Sequence, residues 1–169
     1  PIELVLNFKD IFSRLNILVD RIICTSYAKS IHYKSNLNLS GPVSFIDVGF
    51  DKTSIITYLN ENIAMLDILS VGGNHITKDL SKVLNISLQK SEQIKLNFDQ
   101  NLNILSEEIK STDMLQKIIL ARTEEILELC NKSIKSNLFL NEKFKMVLTG
   151  DGSKILASKY KDNISFAND

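Results

Sequence analysis

The sequence is poor in the residues that most often mark special chemistry. Its 169 residues include no tryptophan, two prolines, two cysteines and two histidines. With two histidines and no paired-cysteine spacing, the chain lacks the ligands of a structural zinc site. Cys24 and Cys130 both lie among apolar residues. We therefore expect two buried free thiols, as is usual in a reducing cytosol, and no disulfide.

The chain also lacks an excess of charge and a long apolar run. Twenty basic residues balance twenty acidic ones, so no overall field attracts nucleic acid or an anionic membrane. No apolar stretch reaches the roughly 20 residues that span a bilayer, and the N-terminal residues do not show the basic-then-apolar order of a signal peptide. We expect a cytoplasmic protein that does not bind nucleic acid.

What the chain does have is enough apolar residues, 44%, to bury one core or two small lobes that share one. The spacing predicts helices that alternate with short strands. The predicted elements are an amphipathic helix within residues 2–18, a strand at 20–25, a helix at 26–36, three consecutive antiparallel strands at 43–48, 53–59 and 63–69, helices that begin near His75, Ser87 and Thr112 or Asp113, a strand at 144–148, and a helix after Ser153.

Asp47 lies near the end of the strand at 43–48 and Gly49 follows that strand, and a carboxylate beside a flexible turn suits phosphate chemistry. Ligands collect at the ends of such strands. The carboxylate suits a hydrated Mg²⁺, and N–H groups of the following turn suit phosphate oxygens. An ordinary structural turn explains the same short motif.

Gly72 and Gly73 precede the next predicted helix. Glycines allow close backbone approach, and the first helical turn presents N–H groups that suit an anion. The alternative is an ordinary glycine-rich helix start. His75, in the same turn, is expected to be structural.

Two further pairs share this ambiguity. Glu92 and Lys95 lie three residues apart on one helix face, where they suit ribose hydroxyls or form a surface ion pair. Gly150 and Gly152 follow an apolar strand, where bare backbone suits a flat adenine ring or makes a simple turn.

Residues 45–95 and 146–153 together resemble the FtsA family of bacterial division proteins, within the superfamily of actin, sugar kinases and heat-shock chaperones. The most specific segment is Gly-Gly-Asn-His-Ile-Thr-Lys-Asp-Leu at 72–80. Ser-Glu-x-x-Lys at 91–95 is similar to the family's Ala-Glu-x-x-Lys, and Val-Leu-Thr-Gly at 147–150 is similar to its adenosine-loop strand. The resemblance implies an α/β, actin-like ATPase (ribonuclease H-like) fold, with helices flanking a mixed sheet and a mainly helical inserted subdomain.

The resemblance also implies a domain organisation. Residues 1–169 would be the second actin-like domain, with a sheet-containing core at 1–72 and 145–169 and the helical inserted subdomain at 73–144. The first domain and the membrane-targeting tail would lie outside this chain.

The resemblance assigns ten residues to a site for ATP and Mg²⁺, and none of them is catalytic. Asp47 would hold Mg²⁺ through water. The ten are Asp47, Gly49 and Thr53 on the second phosphate loop, Gly72 and Gly73 on the turn facing the nucleotide, Glu92 and Lys95 at the ribose and adenosine, and Gly150, Gly152 and Ser153 on the adenine-side loop.

The phosphate loop departs from the family pattern. Where the family usually reads Asp-Ile-Gly-Gly-Gly-Thr-Thr-Asp, Phe50 and Asp51 replace two glycines. A carboxylate ~4 Å from a phosphate costs roughly 4 kcal/mol at a surface-like dielectric, which Lys52 or Mg²⁺ would offset. We therefore expect nucleotide binding with slow or absent hydrolysis.

The implied function is an ATP-binding scaffold that links the FtsZ ring to the inner face of the cell membrane at the division site. Its implied partners are FtsZ, other divisome proteins and further copies of itself in actin-like filaments. Membrane contact would come only from a C-terminal helix outside this chain. The alternatives are a nucleotide-free interaction module with degenerate loops and an ATP-dependent enzyme of the sugar-kinase type.

Overall fold

The computed structural model describes residues 2–39, 41–98, 112–138, 144–153 and 165–166. Its order of elements agrees with the predicted order except at residues 20–25 and at residues 165–166, where a strand occurs that was not predicted. The helix expected after Ser153 lies outside the described residues. The elements are α1 (Ile2–Arg14), α2 (Thr25–Asn36), β1 (Val43–Val48), β2 (Thr53–Leu59), β3 (Asn62–Leu69), α3 (Gly73–Leu84), α4 (Leu88–Leu96), α5 (Thr112–Leu138), β4 (Lys145–Thr149) and β5 (Ser165–Phe166).

The strands form one five-stranded mixed sheet in the order β3-β2-β1-β4-β5. The predicted antiparallel trio is confirmed, since β1 pairs with β2 and β2 with β3. β4 joins parallel to β1, with Asp47 opposite Thr149. The carboxyl ends of β1 and β4 therefore meet at one edge of the sheet.

Helices cover both faces of this sheet. Successive β1 side chains point to opposite faces, and the two sets pack against different helices. Val43 and Phe45 pack in a cluster with Tyr33 of α2. Ile46 and Val48 pack in another with the second half of α5, including Cys130. The predicted fold class, a mixed sheet flanked by helices, is confirmed.

A second, smaller core holds the helices α3, α4 and α5 together. It contains Ile76, Leu80, Ile94, Leu115 and Ile119. α5 belongs to both cores, because its first half packs here and its second half on the sheet. The boundaries of the helical subdomain, residues 73–144, remain a prediction.

α4 begins as its sequence predicts. The hydroxyl of Ser87 accepts a hydrogen bond from the Lys90 backbone N–H, so Ser87 is an N-cap. No helix in the described ranges is long and apolar enough to cross a membrane.

The strand predicted at residues 20–25 is wrong. This segment has no regular structure up to the start of α2, and Ile22 and Ile23 are about half exposed. A strand exists only where its backbone groups pair with a neighbouring strand. None of the described strands pairs with residues 20–25. Cys24 is exposed and not buried as expected, whereas Cys130 is buried, and both thiols are free.

α1 confirms the predicted N-terminal helix but adds nothing to the core. None of its residues is buried, and Ile2, Leu4 and Leu6 are largely exposed. The apolar spacing predicted the helix correctly, while nothing among the described elements covers its apolar side chains.

Candidate functional site

A cavity of about 450 Å³ opens where the carboxyl ends of β1 and β4 meet. Seven of the ten predicted site residues line it, drawn from four different parts of the chain. They are Asp47, Gly49, Gly73, Glu92, Lys95, Gly150 and Gly152.

Asp47 lies at the centre of a small polar network. Strand alternation turns its side chain toward α2, and Ser26 Oγ donates to Oδ2 at 2.8 Å. Lys29 Nζ forms a salt bridge to Oδ1 at 3.3 Å, and Thr149 Oγ1 donates to the same oxygen at 3.3 Å. Donors from α2 and β4 thus engage both oxygens of this carboxylate.

The glycines of the β4 loop allow it to lie directly against the end of β1. Gly150 has φ +87°, and a Cβ on it would lie 2.5 Å from Asp47 Oδ1. A Cβ on Gly152 would lie 2.6 Å from the Val48 side chain, while Gly152 N–H donates to Val48 O at 3.1 Å. Ser153 Oγ donates to Gly150 O at 2.6 Å and closes the loop without lining the cavity.

The start of α3 is fastened to the loop after β1. Gly73 N–H donates to Gly49 O at 3.0 Å, and Asn74 N–H donates to Phe50 O at 2.7 Å. A Cβ on Gly72 would lie 2.6 Å from Gly49 O, so Gly72 serves this packing and does not line the cavity. The expectation that these first-turn N–H groups are available to an anion is therefore wrong for Gly73 and Asn74.

His75 has the structural role expected for it. Its Nδ1 accepts the Gly72 backbone N–H at 3.2 Å. Thr53 is also structural here, since its buried hydroxyl donates to Val71 O at 2.7 Å and does not line the cavity.

Lys95 and Glu92 form a partly buried pair in the cavity wall. Lys95 Nζ donates to Glu92 Oε2 at 2.7 Å, to Thr77 Oγ1 at 2.9 Å and to Gly73 O at 3.2 Å. Thr77 also donates to Glu92 Oε2. Burial acts to raise the pKa of Glu92, but the hydrogen bonds from Lys95 and Thr77 and the Lys95 charge outweigh it, so the pKa is lowered.

Sequence reasoning missed several residues that line the cavity. Lys29, Phe50, Leu96, Phe98 and Asp151 complete its wall. No local pattern pointed to Lys29, because its place beside Asp47 depends on which helix covers that face of β1.

Asp51, in contrast, was expected beside the phosphates and does not line the cavity. Asn74 Nδ2 donates to its carboxylate at 2.8 Å, on the exposed side of the loop. Lys52, which with Mg²⁺ was expected to offset the charge of Asp51, does not line the cavity either.

Solved structures similar to this chain share its fold at low sequence identity. The PilM-PilN type IV pilus biogenesis complex superposes with a TM-score of 0.68 at 15% identity, over 90% of this chain and 44% of that one. MreB5 of Spiroplasma citri bound to ADP gives 0.64 at 16%, over 96% and 60%. The archaeal actin homolog Ta0583 in complex with ADP gives 0.61 at 13%, over 87% and 51%.

The sheet order, its helical layers and these neighbours define a domain of the actin-like ATPase fold. The family model for "Cell division protein FtsA" matches residues 44–145. The chain belongs to the FtsA family of cell-division proteins.

Curated relatives agree with this family. The FtsA protein of Streptococcus pneumoniae is 26% identical over 92% of this chain and 37% of its own length. Those of Buchnera aphidicola (subsp. Baizongia pistaciae) and Bacillus subtilis are 30% and 29% identical over 67% and 64% of this chain. The chain spans about a third of the length of these relatives.

Proposed function

We propose that this chain contributes one wall of an adenine-nucleotide site to an FtsA-type division scaffold. The observation that carries the proposal is the convergence of seven predicted residues on one cavity of about 450 Å³. That volume lies within the range of small-molecule pockets. Two neighbours of the same fold, MreB5 and Ta0583, are described with ADP.

The cavity offers groups suited to each part of a nucleotide. Asp47 and Gly49 lie on the phosphate side by analogy with the family, with Gly73 between them and α4. Glu92 suits ribose hydroxyls. Gly150 and Gly152 offer bare backbone to the base.

The other four of the ten predicted site residues would support the site without contacting the nucleotide. Lys95 positions Glu92 and binds Gly73 O. Thr53, Gly72 and Ser153 hold the loops that form the wall.

The larger role follows from the family. The complete protein would act at the inner face of the cell membrane at the division site, joining FtsZ and other divisome proteins to it and assembling into actin-like filaments. The second actin-like domain, residues 1–169 with the subdivision given above, would be its part in that assembly. Hydrolysis would be slow or absent, since Phe50 and Asp51 replace two glycines of the family's phosphate loop and Phe50 lines the cavity.

Mg²⁺ fits this chain less well than the nucleotide does. The carboxylate expected to hold it, Asp47, already has Lys29 as its counter-ion. Among the described residues, no group of three or more Asp, Glu, His or Cys side chains is placed to hold a metal.

A substitution at the rim of the cavity tests the nucleotide site. Leu96 lines the cavity and is 63% exposed, so Leu96→Trp places bulk in the cavity without disturbing the core. Leu88→Trp is the matched control, because Leu88 lies on the same helix, is 53% exposed and does not line the cavity. The measurement is the Kd of a fluorescent ADP analogue for the complete protein.

We expect Leu96→Trp to weaken binding by about tenfold or more, equivalent to about 1.4 kcal/mol, and Leu88→Trp to leave it unchanged. Absence of ADP binding by the unsubstituted protein would overturn the proposal. So would equal affinities for the two variants.

A nucleotide-free interaction module is the second candidate. It is favoured by one observation, that Gly73 N–H and Asn74 N–H are used by loop carbonyls and not held available for phosphate. The same binding measurement separates the two candidates.

A further inference from the structure

Lys29 supplies the cavity with a cation where the family resemblance places a metal. Its Nζ lies 3.3 Å from Asp47 Oδ1, and the two side chains are 29% and 17% exposed. Ser26 and Thr149 donate to the same carboxylate. Asp47 is thus both charge-paired and hydrogen-bonded by the protein itself.

This arrangement works against a hydrated Mg²⁺ at Asp47. Mg²⁺ is typically held by one or two carboxylates together with waters and substrate phosphates. At Asp47 it would lie beside an ammonium, and like charges repel. A second carboxylate of the wall, that of Glu92, is held in the same way by Lys95.

The ammonium of Lys29 is suited to act toward a phosphate itself. It carries three donors, of which the contact to Asp47 uses one. Lys29 lines the same cavity as Gly49 and Gly73, and lysine is a common point-charge partner for phosphate.

We infer that Lys29 replaces Mg²⁺ as the counter-charge of the bound phosphates, so that this protein binds a nucleoside di- or triphosphate independently of divalent cations. This inference rests on the proposed nucleotide site. It assigns Lys29 a binding role, with Asp47 holding the ammonium in place.

The test is the Kd of a fluorescent ADP analogue for the complete protein, with excess Mg²⁺ and with EDTA. We expect the two values for the unsubstituted protein to differ by less than about tenfold. Lys29→Met should weaken binding in EDTA by about tenfold or more, since hydrogen bonds to charged groups are among the stronger ones. In that variant Asp47 is free of its ammonium, and Mg²⁺ should restore part of the affinity.

Two further variants serve as controls. Lys34→Met removes a cation from the same helix, one that pairs with Glu61 and does not line the cavity, and should bind as the unsubstituted protein does. Lys29→Arg keeps the charge and should keep binding independent of Mg²⁺.

The inference is overturned if removal of Mg²⁺ weakens the unsubstituted protein by more than about tenfold, or if Lys29→Met binds normally in EDTA. Either result leaves the nucleotide site itself intact. A protein that binds no ADP under both conditions overturns the proposed function, and the inference with it.

Discussion

Lys95 Nζ lies 2.7 Å from Glu92 Oε2, one turn away on α4, and the Lys95 side chain is only 4% exposed. The same ammonium donates to Thr77 and to Gly73 O. Because an ammonium has three donors, these contacts use all of them. Lys95 therefore joins α4 to the first turn of α3.

Replacing Lys95 should destabilise the protein. Lys95→Met removes the ammonium from Glu92 and from the Gly73 carbonyl and leaves Thr77 as the remaining side-chain donor to both, and we expect a loss of about 1–3 kcal/mol in the free energy of unfolding. Urea unfolding followed by circular dichroism measures it. Lys78→Met, at an exposed position on α3, should change the value by less than about 0.5 kcal/mol, and equal losses in the two variants would contradict this role.

The lowered pKa of Glu92 predicts a pH dependence of stability. In the unfolded chain the carboxyl titrates near 4.5, and in the folded protein below it. The folded state therefore favours the carboxylate, and its stabilising contribution is complete above pH 4.5 and lost as the pH falls through the folded pKa. The difference in unfolding free energy between the unsubstituted protein and Glu92→Gln should shrink over that window, and a difference that grows on acidification would contradict the sign.

A comparison of alanine substitutions at two glycines with similar positive φ distinguishes the cost of backbone strain from the cost of a steric clash. Gly41 has φ +80° with nothing within 4 Å of an added Cβ, whereas Gly150 has φ +87° and meets Asp47 and the Val48 carbonyl. Gly41→Ala should cost about 1 kcal/mol from strain alone, and Gly150→Ala about 1–3 kcal/mol more. Thermal or urea unfolding measures both, and similar costs at the two positions would show that the β4 loop is not pressed against β1.

Arg122 and Asp79 connect α5 to α3 through a two-point contact. The guanidinium donates from Nε at 2.6 Å and from Nη2 at 3.1 Å to the two carboxylate oxygens. A double-mutant cycle with Arg122→Gln and Asp79→Asn should give a coupling of about 0.5–1 kcal/mol, as both side chains are partly exposed. Arg122→Lys keeps the charge but not the fork, so recovery of the full coupling in that variant would rule out a geometric contribution.

Cys130 should be chemically inert while the protein is folded. Burial, together with the Asp67 charge, raises the pKa of its thiol to about 12, and the thiolate is the reactive form. In a Cys24→Ser background, iodoacetamide should label Cys130 only in proportion to the fraction unfolded, as mass spectrometry of a urea series would show. Labelling without urea at the rate of the unfolded chain would contradict the buried position.

The sequence predicted most of this fold because local patterns determine its elements. The apolar run at residues 43–48, the β-branched residues at 53–59 and the N-cap at Ser87 each acted through neighbouring residues. Residues 20–25 failed for the opposite reason, since a strand depends on a partner that local pattern does not contain.

The candidate site was predicted in part for the same reason. Asp47 and Gly150 could be found because each ends a strand, and both lie at the cavity. Lys29 could not be found this way, because its place beside Asp47 depends on which helix covers that face of the sheet. The sequence also did not reveal that Asn74 holds Asp51 away from the cavity.

The contact between Thr149 and Asp47 joins residues 102 positions apart. A ribosome makes β1 long before β4. During synthesis the end of β1, with Asp47, is therefore exposed without β4 while the helices α3 to α5 are still being added. Contacts this distant in sequence are slow to form. A ligand that contacts the ends of both β1 and β4 can therefore stabilise only chains in which β4 has already paired with β1. Binding of such a ligand would indicate that the domain has finished folding.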